Sequence, residues 1–309
     1  MSSDGDGDFP ASPNFRSYYG KPVVKQPVWE PVVPVYFFFG GTAGAAASLG
    51  IAARLIGNER LATTATYVNA VSIGVSPALL IADLGRPERF LRMLRMFKVT
   101  SPMSVGTWIV TFSGLASGLT TTLELLARLP RAKVAAEATT GLLGPFLSTY
   151  TAALLADTSV PAWHDARREL PFVFAGSSAA SAGGACALFT DPEHARPARR
   201  LAVAGAVLEL AAGQAMERRL GFLAEPYRYG RIGALATAAR VLTAVGGLAM
   251  LLQGRRRRGA VCAGTLLLAG SVCERFAVFR AGFASANDPR YTIVPQRQRL
   301  QRRAAGATD

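Results

Sequence analysis

Histidine is nearly absent from this chain: there are 2 in 309 residues, His164 and His194. Both lie in polar stretches between apolar runs, on opposite sides of any membrane those runs would cross. That placement excludes a bis-histidine haem held inside a helix bundle, and it disfavours a Ser-His pair for intramembrane hydrolysis. Cysteine is scarce too. Cys186, Cys262 and Cys273 fall inside apolar runs, with no C-x-x-C spacing, so no iron–sulfur cluster or zinc site is expected in this chain. Charged residues make up only 17%, against about one quarter in an ordinary soluble domain. The first 30 residues lack the basic-then-apolar build of a leader peptide, so the arm is expected to remain on the mature chain.

Half of the residues, 50%, are hydrophobic. Runs of roughly 20 apolar residues, enough to cross a ~30 Å hydrocarbon core, recur between short charged blocks. They predict an all-α, polytopic membrane protein with eight transmembrane helices over about 33–56, 61–82, 103–127, 135–157, 170–190, 200–222, 231–252 and 259–282. The expected organisation is an extramembrane arm over 1–32, a four-helix bundle over 33–157, a second over 158–283 and a basic tail over 284–309. Span one opens Pro34-x-x-Phe37 and span five Pro171-x-x-Phe174, a faint echo that suits a parallel repeat of two halves. Chance likeness between Ala/Gly-rich helices explains it as well. Net charge is +14. The arginines sit at the ends of apolar runs, where topology and lipid headgroups account for them, and nucleic acid is not expected as a partner. Most of the Lys and Arg fall on the side of the termini, which predicts cytoplasmic termini in a multi-pass cell-membrane protein.

The stretch "DLGRPERFLRMLRMFKVTSPMSVGTW", Asp83 to Trp108, is a charged turn between two apolar spans. "FLRMLRMFK" predicts a short amphipathic helix on the interface over 90–98, and Ser101-Pro102 predicts an N-cap and first helical residue for span three. Asp83, Arg86 and Arg89 share a membrane face with Tyr36, one turn into span one, and Tyr150, two turns before the end of span four. A carboxylate, guanidinium groups and phenols at one depth suit the polar head of a greasy molecule such as a quinone. Interfacial anchoring is the plainer account of the same residues. Deeper in the second half lie Glu209, Arg240 and Glu274. Arg240 and Glu274 share a depth, which makes an interhelical ion pair between them an expectation, with a proton route as the alternative.

"DLGRPERFLRML" with "SPMSVGTW" resembles the connection between the second and third helices of the NrfD family, the membrane subunits of polysulfide reductase-type molybdenum oxidoreductases. "YTAALLADTSVPAWHDARRELPFVFAGSSAASAG", "FAVFRAGFASANDPRYTIVPQRQR" and "PVYFFFGGTAGAAASL" resemble further segments of that family. The resemblance implies eight helices, no haem, and a quinone site (menaquinone or ubiquinone) in the first bundle. It implies an iron–sulfur subunit docked over that site and a molybdopterin catalytic subunit beyond. It carries over onto Asp83, Arg86 and Tyr150. The first helix departs from the pattern: it has no Asn or His where the family has polar residues near the quinone, and Tyr36 is the nearest substitute. A proton or small-solute transporter built on the intramembrane Arg and Glu residues is the alternative, and a purely structural anchor a third.

Overall fold

A computed structural model describes residues 23–25, 27, 29, 31–83, 87–127 and 129–304. Among them every regular element is helical. The long helices are α1 (Val33–Leu55), α2 (Glu59–Asp83), α4 (Pro102–Leu126), α5 (Pro130–Ala156), α7 (Leu170–Phe189), α8 (Arg196–Leu220), α9 (Gly230–Gln253) and α10 (Arg257–Asn287). Two short helices, α3 (Pro87–Met93) and α6 (Pro161–Asp165), fill connections, a 3-10 turn spans Gly221–Tyr227, and α11 (Arg290–Ala304) follows α10. By length and composition 6 described helices, namely α1, α2, α4, α7, α9 and α10, can cross a membrane. The other two long helices carry charge at their ends: Arg131, Lys133 and Glu137 in α5, and arginines in both end turns of α8.

Helices α1, α2, α4 and α5 pack in a ring, and α7, α8, α9 and α10 pack in another with the same order of neighbours. The two rings meet where α1 crosses α7. There Phe37 and Phe174, the echoed phenylalanines, stand 6.0 Å apart, and Thr42 hydrogen-bonds Ser181 at 2.8 Å. Small residues allow the close approaches. A side chain at Gly44 would strike the backbone of Gly144 on α5, and one at Gly205 the backbone of Ala180 on α7. In lipid no hydrophobic force drives helices together, so such contact is the main source of cohesion. Pro145 adds a specific lock. Lacking an N–H, it frees the carbonyl of Gly141, which accepts from the hydroxyl of Ser48 on α1 at 2.9 Å.

The end of the molecule that holds Asp83 is closed by aromatic packing. Trp163, fully buried, lies against Gly282 and donates its indole N–H to the carbonyl of Val278 at 2.8 Å. The backbone N–H of Ala162 donates to the hydroxyl of Ser285 at 3.2 Å. Trp29, upstream of α1, stacks on Trp163 at 5.6 Å. The opposite end is closed by charge. Arg54 makes a two-pronged contact with Glu137 and reaches Glu59, while Lys133 pairs with Glu124.

The amphipathic segment differs from expectation. Its helix covers Pro87–Met93, not 90–98. The remainder folds back onto α4: Ser104 donates its hydroxyl to the carbonyl of Met96 and accepts from the N–H of Lys98, each at 3.0 Å. Ser101 caps α4 as its sequence predicts, accepting from the N–H of Ser104.

Candidate functional site

A cavity of ≈ 280 Å³ opens at the Asp83 end of the first ring. Each helix contributes through positions three or four apart, which share a helical face. They are Val33, Tyr36 and Phe37 from α1; Leu80 and Asp83 from α2; Arg89 and Met93 from α3; Met103, Gly106 and Thr107 from α4; and Tyr150 and Leu154 from α5. Trp29, held by Trp163, completes the wall. The structure thus brings together Tyr36, Asp83, Arg89 and Tyr150. Arg86 lies outside the described residues.

Tyr150 carries the sharpest feature of this site. Its ring lies directly on Gly106, so that any side chain there would displace it. Its hydroxyl is buried with no hydrogen-bond partner among the described residues. A buried polar group left unmade costs roughly 1–3 kcal/mol, and Tyr150 is one of the residues that line the cavity. The neighbouring Thr107 already donates its own hydroxyl to the carbonyl of Met103 at 2.9 Å. The walls are otherwise apolar, with Asp83 half-buried and Arg89 exposed at the α2–α3 side, each held in interactions of its own. The combination suits a molecule with a flat hydrogen-bonding head and an apolar body. A larger groove of ≈ 620 Å³, lined by Phe38, Thr64, Tyr67 and Phe189, offers hydroxyls but no charged group.

The second ring holds its polar groups in a smaller space, a cavity of ≈ 50 Å³ lined in part by Glu209, Glu217, Tyr227, Arg240 and Glu274. The expected ion pair is not the one formed. Arg240 bonds Glu217 on α8 at 2.7 Å, because its half-exposed side chain runs along the α8–α9 flank. Glu274 faces Arg275 instead, at 3.6 Å. Arg275 is only 1% exposed and donates to the carbonyl of Phe174 and the hydroxyl of Ser178, both at 3.0 Å. Its guanidinium lies 3.7 Å over the Phe174 ring. Thr243 donates to Glu209 at 3.2 Å. Both carboxylate oxygens of Glu274 and one of Glu209 have no hydrogen-bond partner among the described residues. No cluster of metal-binding residues occurs among them.

Sequence reading missed Arg275, Glu217, Gly106 and Thr107. Arg275 had a visible signal, a cation in mid-span beside the glutamate that was singled out. Gly106 had none, since its role exists only once Tyr150 lies over it.

A family model described as "Polysulphide reductase, NrfD" matches residues 22–224. That span contains every residue lining the larger of these two cavities and reaches the 3-10 turn after α8. No curated protein matches the sequence.

Proposed function

From the premise that the chain belongs to the NrfD, polysulphide reductase, family, we propose that this multi-pass membrane protein is the quinone-binding subunit of a reductase-type electron-transfer complex. One observation carries the reading: Tyr36, Asp83, Arg89 and Tyr150 converge on a single apolar-walled cavity, and the buried Tyr150 hydroxyl has no hydrogen-bond partner among the described residues. The cavity, at ≈ 280 Å³, is close to the lower end of small-molecule sites, about 300–1,000 Å³. It suits a ring-sized head whose tail extends into lipid.

A bound quinone supplies two-electron, two-proton redox chemistry. The chain's residues bind and manage protons. Tyr150 would donate a hydrogen bond from its hydroxyl to a ring oxygen. Asp83, at the water-facing end of α2, is the carboxylate that relays protons between the cavity and the aqueous side. Arg89 favours negative charge at the mouth, and Tyr36 stands as the contact from α1. Arg86 belongs to the proposed set through the motif it sits in. Trp29, Phe37 and Met103 keep water from the body of the site.

The reading includes eight crossings in two four-helix bundles and a location in the cell membrane with cytoplasmic termini. It includes an iron–sulfur subunit over the Asp83 end and a molybdopterin subunit beyond it. The second ring supports a second reading, a proton or small-solute route through Glu209 and Glu274. The observation favouring that route is that both buried carboxylate oxygens of Glu274 and one of Glu209 have no hydrogen-bond partner among the described residues. Quinol-linked turnover of the assembled complex, normalised to intact complex, tests the first reading. Tyr150→Phe and Asp83→Asn are expected to lower it while Glu209→Gln does not. Unchanged turnover and quinone affinity in both cavity variants would reject the site.

A further inference from the structure

We propose that a groove between α8 and α9, at the end of the molecule opposite Asp83, binds the headgroup of an anionic phospholipid. Its volume is ≈ 640 Å³, and its polar wall is made by Arg196, Arg199, Arg200 and Arg255. The three arginines of α8 follow the i, i+3, i+4 spacing that places them on one face. Arg255, just past the end of α9, closes on them from the other side.

None of the four arginines has a carboxylate within ion-pair distance among the described residues, and the nearby Asp191 is turned to Arg60, at 3.8 Å. Arg199 is instead held between the like charges of Arg196 and Arg255. Its position is nevertheless fixed: it donates to the carbonyl of Pro192 at 2.6 Å, and its stem crosses Gly254, where a larger residue would push it aside. An arginine held among arginines and away from acids is a standing cost that an anion relieves.

The rest of the groove identifies which anion. Val203 and Leu251 form its floor. One turn deeper along the same helices, Val207 is 62% exposed and Leu248 57% exposed, with Leu251 at 64% between them and the arginines. The charged wall therefore continues into an apolar track running towards the bilayer interior. A free phosphate uses only the first part. A phosphodiester headgroup with acyl chains uses both, and basic pockets between membrane helices take such headgroups. The groove lies far from the Asp83 cavity, so the proposal stands apart from the quinone reading.

The test uses the full chain purified in detergent and titrated with phosphatidylglycerol, phosphatidylcholine or inorganic phosphate. Native mass spectrometry counts bound lipid and a thermal-shift assay reads stabilisation. Phosphatidylglycerol is expected to bind at least tenfold more tightly than phosphatidylcholine and to raise the melting temperature where inorganic phosphate at equal concentration does not. Arg200→Gln and Arg255→Gln, both at exposed positions, should each weaken that binding several-fold, while Arg297→Gln on α11 leaves it unchanged. Equal binding of the two lipids overturns the proposal. So does equal stabilisation by inorganic phosphate, which would make the groove a phosphate site. Should the arginine variants fail to accumulate, the headgroup comparison on the unaltered chain decides alone.

Discussion

The two rings share a neighbour order but treat the same interior position in opposite ways. Tyr36 of α1 and Val173 of α7 stand two residues after the echoed prolines, and each lines the cavity of its own ring. In the first ring the space is left open at ≈ 280 Å³, and its polar groups are two phenols, a threonine and charges at the edge. In the second it shrinks to ≈ 50 Å³, and ionisable side chains occupy the interior. The contrast shows two uses of one architecture. Keeping the first ring's charges at the water-facing end spares it the cost of burying them. The second accepts that cost and offsets it with Arg275. An interior filled this way resists a ligand; an interior walled by Phe37, Leu80 and Leu154 admits one.

The sharpest way to break this contrast is to remove the compensating cation. Arg275→Ala leaves Glu274 and Glu209 without their counter-charge. Removing one partner from a buried pair costs about 3–5 kcal/mol. The variant is expected to accumulate poorly and to elute as aggregate in fluorescence-detected size-exclusion chromatography; Glu274→Gln added to it should recover part of the loss. Monodisperse Arg275→Ala at wild-type yield would show that the second ring needs no such compensation.

Gly106→Val attacks the first ring instead. The new side chain occupies the place of the Tyr150 ring, and overpacking of this kind costs about 1–3 kcal/mol. The fold is expected to survive while quinone binding is lost, measured by quenching of intrinsic fluorescence on titration. Retained affinity would mean that the cavity is not the binding site.

Asp83→Asn keeps the shape and removes the carboxylate, so turnover should fall more than affinity. Tyr150→Phe does the reverse. It loses one neutral hydrogen bond, worth about 0.5–1.5 kcal/mol, or roughly three- to tenfold in affinity. Steady-state kinetics with a soluble quinol analogue separates the two patterns, and identical profiles would undo the division of roles. The smallest effect is expected at the rim of the second ring. Glu217→Gln weakens a pair whose arginine is 42% exposed, and exposed pairs contribute only about 0.2–1 kcal/mol. Thermal unfolding should shift by a few degrees at most.

How much of this was legible follows from what a linear sequence encodes. Helix ends were readable where local chemistry fixes them, as at Ser101-Pro102 and at the prolines opening α1 and α7. Position along each span is readable by counting residues, and it groups Tyr36, Asp83, Arg86, Arg89 and Tyr150 at one end; of these, all but Arg86, which lies outside the described residues, line one cavity. Azimuth around each helix was not. Arg240 and Glu274 share a depth yet face different neighbours, and Arg275, one residue on, turns inward through about 100°. The 90–98 segment misled for another reason: its pattern is helical, but Ser104 draws its second half onto α4.

The stack of Trp29 on Trp163 on Gly282 also sets an order of events. Ribosomes deliver the chain from the N-terminus, and early domains generally fold first. Trp29 is among the earliest of the described residues to be made, yet the surface that backs it ends at Gly282, near the close of α10. The wall it gives the first cavity cannot be set until almost the whole chain has been inserted. A chain stalled after α8 would hold every residue that lines the cavity while lacking Gly282, the floor beneath Trp163. Completion of the last long helix thus acts as a checkpoint, withholding a finished pocket from any half-made subunit.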